Sequence, residues 1–212
     1  MLSVEQLQSE IQRALGPNIL QMSVELGELS VLVARTRIVD VLRTLRDDPA
    51  IAMSQLMDIC GADYPERPER FEIVYNLLSL RHNARVRIKL HTYEATPVPS
   101  VVSLYNSAGW FERETWDMFG VPFSGNPDMR RILSDYGFEG HPLRKDFPLT
   151  GYVEVRYDED LKRIIYEPVK LPQDFRSFDF LSPWEGMTDV NMRLPGDEKA
   201  TKPDAANSGV KS

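Results

Sequence analysis

The chain has 212 residues, 42% of them apolar and 27% charged, enough to bury one substantial core with material to spare and without metal or disulfide staples. Its net charge of −7, from 25 basic and 32 acidic side chains, argues against generic nucleic-acid binding, which needs a basic surface. A single cysteine excludes a disulfide framework, or an iron–sulfur cluster ligated by this chain alone, and no stretch approaches the roughly 18–20 apolar residues of a membrane helix.

The first residues, Met1-Leu2-Ser3-Val4-Glu5, show no basic segment leading into an apolar one, so no secretory signal is expected. They are also too acidic for a mitochondrial presequence. The expected setting is cytoplasmic and reducing.

Residues 3–15 predict an amphipathic helix. Ser3 is the N-cap, Gln6 its capping-box partner, and Val4, Leu7, Ile11, Ala14 and Leu15 keep helical spacing up to Gly16-Pro17. Ile19 to Val33 carries two apolar runs broken at Gly27-Glu28, which predicts a hairpin. Thr36 to Asp47 returns to helical spacing through Ile38, Val41, Leu42 and Leu45. Gln55 to Cys60 predicts a short strand and Pro65-Glu66-Arg67-Pro68 a turn. Phe71 to Leu80 and Ala84 to Tyr93 predict two strands joined at Arg81-His82-Asn83. In the second, Val86, Ile88 and Leu90 face one way and Arg85, Arg87, Lys89 and His91 the other. That row of basic residues is expected to be a solvated sheet face, with binding of an acidic partner surface as the alternative. Pro97 and Pro99 close the region. The expected class is α+β, with helices packed on one mixed or antiparallel sheet.

Residues 100–119 are expected to be helical, in two pieces with a break near Gly109. Regular periodicity then disappears from Gly120 to Gly151. Val153 to Tyr157 and Arg163 to Glu167 predict a second hairpin around Asp158-Glu159-Asp160. An extended tail follows Pro168, and the polar stretch 196–212 is expected to be disordered. The expected division is an α+β domain over 1–119, a loop-rich interaction arm with hairpin and tail over 120–195, and the polar end.

Eight of the twenty aromatic residues fall between Gly109 and Phe147, in a window where even spreading gives about four. Aromatic anchors mixed with arginines and carboxylates on irregular backbone suit a buried protein–protein contact. The competing reading is that they close the edge of the first domain's core. The tail offers the same choice: Leu171, Phe175, Phe178, Phe180, Leu181 and Trp184 either pack back on their own domain or lie along another subunit.

Candidate chemistry is sparse. Glu112, Glu114 and Asp117 lie close together on the expected helix, and paired carboxylates can act as acid and base. An i,i+4 ion pair between Arg113 and Asp117 is the simpler reading. His141 beside Glu139 and Asp146 reads as a histidine hydrogen-bonded within a loop, and Cys60 as buried and inert. His82, His91 and His141 are not at helical ligand spacing, and no Gly-rich phosphate loop is present.

The run Glu112-Arg113-Glu114-Thr115-Trp116-Asp117-Met118-Phe119-Gly120-Val121 resembles the signature of the 30-kDa-type subunit of respiratory complex I, in the bacterial form found in NADH:quinone oxidoreductase. The likeness continues through Pro127-Asp128-Met129-Arg130-Arg131-Ile132-Leu133 and Asp135-Tyr136-Gly137-Phe138-Glu139-Gly140-His141-Pro142-Leu143-Arg144-Lys145-Asp146-Phe147-Pro148-Leu149. It extends into Gly151–Tyr157 and the tail residues Phe175, Arg176, Phe178, Asp179, Ser182, Pro183, Trp184 and Glu185. It covers roughly Gln55 to Glu185 in order. Asn126 departs from the pattern, which often has His or Lys there, at one polar contact of the loop. The form is similar to the alphaproteobacterial type.

The resemblance implies a non-catalytic core subunit of the hydrophilic arm. The complex as a whole moves electrons from NADH through FMN and iron–sulfur clusters to quinone. This chain is implied to hold no FMN, cluster, metal or NAD, and to have no catalytic residues. Its implied role is to scaffold the quinone-site subunit that is similar to a hydrogenase large subunit, beside the neighbouring iron–sulfur subunits, with no nucleic acid. The implied location is peripheral, on the cytoplasmic side of the bacterial inner membrane, held there only through the complex. The implied interface residues are Glu112, Arg113, Glu114, Trp116, Asp117, Phe119, Arg130, Arg131, Glu139, His141, Arg144, Lys145, Asp146, Phe175, Arg176, Phe178 and Trp184. The alternatives are the equivalent subunit of a related membrane-bound hydrogenase and a stand-alone acid–base enzyme.

Overall fold

The computed structural model describes residues 2–173. Phe175, Arg176, Phe178, Trp184 and the polar stretch 196–212 lie outside the described residues. Helix α1 (Val4–Leu15) starts at the expected capping box: Ser3 Oγ accepts the Gln6 N–H at 3.2 Å and Gln6 Oε1 accepts the Ser3 N–H at 3.0 Å. Strands β1 (Ile19–Glu25) and β2 (Glu28–Val33) pair antiparallel across the turn Leu26-Gly27, one residue before the expected break. Helix α2 (Ile38–Asp47) buries Ile38, Val41, Leu42 and Leu45.

Strand β3 (Gln55–Asp63) runs three residues beyond its expected end, and β4 (Phe71–Ser79) and β5 (Ala84–Thr92) follow as expected. The sheet order is β1-β2-β5-β4-β3. Strands β2 and β5 are parallel and the other pairs antiparallel, so the sheet is mixed. Leu29, Val31, Ile73, Tyr75, Leu77, Val86, Ile88 and Leu90 join the buried residues of α1 and α2 in one core. The alternation in β5 puts Arg85, Arg87, Lys89 and His91 on the opposite face, as the pattern requires. That row is more than a solvated face. Arg87 pairs with Glu28 at 2.6 Å, and Lys89 and His91 reach Glu72 at 3.1 and 3.2 Å.

Two expectations need correction. Only Ala108–Phe119 of the segment 100–119 is α-helical (α3). The chain is extended through Val98–Pro99 (β6), which pairs in parallel with Phe123–Ser124 (β7). The Ser100 N–H continues that ladder to the Ser124 carbonyl at 2.8 Å. The Val101 N–H is then taken by the Glu112 side chain at 2.8 Å. Cys60 is exposed rather than buried, because Ile59, its neighbour in β3, takes the core face. Strands β8 (Val153–Asp158) and β9 (Arg163–Pro168) form the expected second hairpin.

Candidate functional site

The core of the site is helix α3. Thr115 anchors it on the sheet, its Oγ1 donating to the Ile59 carbonyl at 3.2 Å. Glu112 and Asp117 are five residues apart, so they leave the helix about 140° from one another. Both are fully buried, and each binds a different stretch of irregular chain.

Glu112 ties down the segment before α3. Its Oε1 accepts the Val101 N–H, and its Oε2 accepts Ser100 Oγ and Asn126 Nδ2, all at 2.8 Å. Burial raises its carboxyl above the ordinary range against the pull of these three donors. Asn126, the departure from the family pattern, therefore makes its polar contact. Its own Oδ1 also accepts the Asp128 N–H at 2.9 Å.

Asp117 ties down the arm that follows α3. Its Oδ2 accepts the N–H groups of Ile132, Leu133 and Ser134 at 3.0, 2.8 and 2.9 Å, and its Oδ1 takes Arg131 Nη1 at 2.6 Å. Burial alone would raise this carboxyl. The three backbone donors and the guanidinium outweigh burial and hold it well below the usual carboxylate range. The expected Arg113–Asp117 ion pair does not form. Arg113 turns instead to the carbonyls of Arg130 and Arg131, both at 3.0 Å. The carboxylate is thus free for backbone donors that no helix-surface pairing would reveal.

The C-terminus of α3 is sealed by the next turn of the arm. Three carbonyls left without helical partners find donors: Asp117 O meets His141 Nδ1 at 2.9 Å, Met118 O the Leu143 N–H at 3.1 Å, and Phe119 O Arg144 Nε at 2.6 Å. Burial lowers the His141 imidazole, with Arg144 and Arg131 adding to the shift. Gly120 makes this approach possible. At φ 76 it has the left-handed conformation of a helix cap, and a Cβ there would lie 2.3 Å from Arg144 Nη2. Arg144 also pairs with Glu94. The arm reaches the sheet at Asp63, whose carboxylate takes Arg70 at 2.6 and 2.7 Å and the Lys145 N–H at 2.8 Å. Asp146 pairs with the other side of Arg70 at 2.9 Å.

The outward side has a different character. Trp110, Leu133, Tyr136, Leu143 and Leu149 are all more than half exposed. In the β8–β9 hairpin, Val155 faces Tyr166 and Tyr157 faces Ile164, so these share one face with Val153. Every one of the five is 51–61% exposed. The Tyr166 hydroxyl donates to Asp135 of the arm, and Phe147 packs edge-on to Tyr152 at 5.5 Å.

The residues singled out in sequence therefore separate into two groups. Glu112, Asp117, Arg131, His141 and Arg144 converge around α3 and bind one another's chain segments. Glu114, Arg130, Glu139, Lys145 and Asp146 are exposed on its surroundings. The aromatic window is split too: Phe119 and Phe123 belong to the core, Phe111 and Trp116 pack against it, and Trp110 and Tyr136 face outward. Sequence reasoning missed Asp63, Arg70, Glu94 and Ser100, whose partners are remote and leave no local signal. It also missed the apolar hairpin face, which the alternation Val153, Val155, Tyr157 could have revealed. Among the described residues no group of three His, Cys, Asp or Glu side chains is arranged to hold a metal ion.

Comparison with known proteins gives concordant matches. Residues 31–153 match the family described as respiratory-chain NADH dehydrogenase, 30 Kd subunit. The corresponding NADH-quinone oxidoreductase subunit of Rhodospirillum rubrum is 59% identical over 199 residues, covering 93% of each chain. That of Paramagnetospirillum magneticum is 59% identical over 199 residues, covering 93% of this chain and 98% of the relative. Among solved structures, a chain of the membrane-bound sulfane sulfur reductase, an archaeal respiratory membrane complex, superposes with a TM-score of 0.58. It is 27% identical and covers 68% of this chain and 85% of its own.

Proposed function

The chain belongs to the family of the 30-kDa subunit of respiratory-chain NADH dehydrogenase, and from that membership we propose that it is the piece that fastens neighbouring subunits of the complex to one another. It is a subunit of NADH–quinone oxidoreductase of the alphaproteobacterial kind, and its partners are other subunits of that complex. The complex carries the redox cofactors. In the proposed reading this chain holds none of them, and FMN, the iron–sulfur clusters and quinone sit in its neighbours.

The observation that carries the reading is the apolar face of the β8–β9 hairpin, which is left exposed among the described residues. An isolated two-stranded hairpin is marginal in water, and here five apolar side chains on one face are more than half exposed. Such a face is stabilised by burial against another protein. The interaction arm, 120–195 in this reading, then divides its labour. Glu112, Arg113, Asp117, Arg131, His141 and Arg144 hold its shape from within. Trp110, Arg130, Tyr136, Lys145, the hairpin face and the tail residues Phe175, Arg176, Phe178 and Trp184 meet the neighbours. The chief neighbour is the quinone-site large subunit, with iron–sulfur subunits beside it. No helix among the described residues is long and apolar enough to cross a membrane, and the proposed place is the cytoplasmic face of the inner membrane, reached through the complex.

The acid–base alternative meets a geometric obstacle. Glu112 and Asp117 are fully buried and accept three and four hydrogen bonds from the chain itself. Neither carboxylate is open to a substrate. Ile164→Glu tests the favoured reading, because Ile164 is 61% exposed and a surface change costs the fold within about 0.5 kcal/mol. The expected result is an unchanged melting temperature of the chain with loss of the large subunit from the tagged, co-isolated complex. Full co-isolation with a charge on that face would contradict it.

A further inference from the structure

Glu112 holds the chain on both sides of α3. Ser100 and Val101 follow β6 directly, and Asn126 lies just beyond β7, so the three bonds of this carboxyl, each 2.8 Å, close one end of the β6–β7 ladder. That ladder is the neck from which the arm departs. It pairs two residues of each strand, with the Val98 N–H on the Pro122 carbonyl at 2.9 Å and the Ser100 N–H on the Ser124 carbonyl at 2.8 Å. A local opening there has few hydrogen bonds to break.

All three donors to Glu112 are neutral, and its side chain is fully buried. The ionisable groups around it are engaged elsewhere. On α3, Arg113 is turned to the carbonyls of Arg130 and Arg131, Asp117 is paired with Arg131, and Glu114 is exposed. Beyond β7, Asp128 is paired with Arg130. Around β6, Arg35 donates to the Pro97 carbonyl, Arg46 to that of Leu104 and Tyr105 to that of Met53. On the sheet, burial and the Glu112 charge hold the Tyr75 phenol well above its ordinary value, so it is neutral, and its hydroxyl has no hydrogen-bond partner among the described residues. An ionised Glu112 is therefore a buried charge with no counter-ion, which is costly even when hydrogen-bonded.

The neutral form has a place for its proton. The Val101 N–H and the Asn126 amide nitrogen can only donate, whereas a serine hydroxyl both donates and accepts. Ser100 Oγ already accepts the Val102 N–H at 3.3 Å and retains a lone pair. A proton on Glu112 Oε2 can thus be donated to Ser100 Oγ while the other two bonds stay. We propose that Glu112, Ser100 and Asn126 form a proton-operated latch on the neck of the arm, closed while the proton lies between Glu112 Oε2 and Ser100 Oγ, and opening to water when the proton leaves to solvent. The latch concerns this chain alone and does not depend on which subunits the arm meets.

Burial sets the direction. In an open neck Glu112 meets water and returns to its ordinary value of 4.5, whereas in the closed neck burial raises it. The closed state is favoured at low pH. As pH rises, its closing equilibrium falls tenfold for every unit by which the closed-state midpoint exceeds 4.5.

The test uses the full chain. The Glu112 carboxyl is titrated through the NMR shift of its side-chain carbon, and amide exchange is followed as protection factors between pH 4 and 7. The expected midpoint lies above 4.5, and protection at Val98, Ser100 and Val101 falls with rising pH, tenfold per unit of that excess. Glu112→Gln, which has no proton to lose, should hold the protection constant. Asn126→Lys, which sets an ammonium beside the carboxyl, should bring the midpoint below 4.5 and also hold it constant. A wild-type midpoint at or below 4.5 overturns the proposal, as does protection at the neck that does not fall, or that falls equally in Glu112→Gln. An equal fall in β4 and β5 overturns it too, because the charge then weakens the whole fold and not the neck. None of these outcomes touches the fastening role.

Discussion

Asp117→Ala removes the acceptor of four donors at once. Three are the backbone N–H groups of Ile132, Leu133 and Ser134, and the fourth is Arg131, whose side chain is only 16% exposed. Breaking a buried pair by deleting one member costs about 3–5 kcal/mol. Each N–H left without a partner adds about 1–3 kcal/mol where water cannot reach it. Water can reach here, because Leu133 beside the site is exposed, so the penalty is relieved by opening the arm and stays near about 3–5 kcal/mol. In a chain of this size that lowers the melting temperature by roughly 6–20 °C, at about 2–4 °C per kcal/mol. Asp117→Asn keeps one acceptor oxygen and should fall between the two. The assays are thermal unfolding and amide hydrogen exchange at residues 132–134. The pH dependence has a defined sign. The folded carboxyl is held far below its ordinary value of 3.8, so its contribution is complete above that value. It shrinks as pH falls through 3.8 and is gone below the folded-state value. A melting temperature of Asp117→Ala within about 2 °C of wild type, with protection at 132–134 intact, would refute the reasoning.

Other consequences follow from the same geometry. Gly120→Ala places a Cβ 2.3 Å from Arg144 and 2.5 Å from the His141 ring at φ 76. It should cost about 1–3 kcal/mol and expose residues 141–146 to limited proteolysis; an unchanged cleavage pattern would show that the cap is not what holds the arm. Glu112 has the opposite sign to Asp117. Burial raises its folded carboxyl above 4.5, so its contribution is most favourable below that value and declines as pH rises through it towards the folded-state value. Glu112→Gln should flatten that decline in denaturant titrations from pH 4 to 7, and an identical slope in the variant would count against the assignment.

The helices and strands of the first domain were legible because each carries its own period. The capping box of Ser3 and Gln6 and the alternation in 84–93 are local signals, and the structure reproduces both. The segment 100–107 misled for the converse reason. Its composition permits a helix, and what decides it is a β6–β7 ladder closed by residues more than twenty positions on. The site shows the same division. The charged and aromatic residues around α3 stand out in the sequence, but the four donors of Asp117 do not, because three are backbone groups whose identity any residue would supply. Arg113 reads as the partner of Asp117 by helical spacing, and loses that place to Arg131, which the fold delivers from fourteen residues away. Cys60 ends an apolar run and reads as buried; strand alternation turns it outward.

In the proposed reading the chain works as a fastening within the NADH–quinone oxidoreductase complex. The decisive test is native gel electrophoresis of gently solubilised membranes, with this chain tagged and the gel stained for NADH oxidation. The tag should appear in a very large NADH-oxidising band in the wild type, and should leave that band when Ile164→Glu charges the hairpin face. A tag found only in a small species lacking NADH oxidation would contradict the claim.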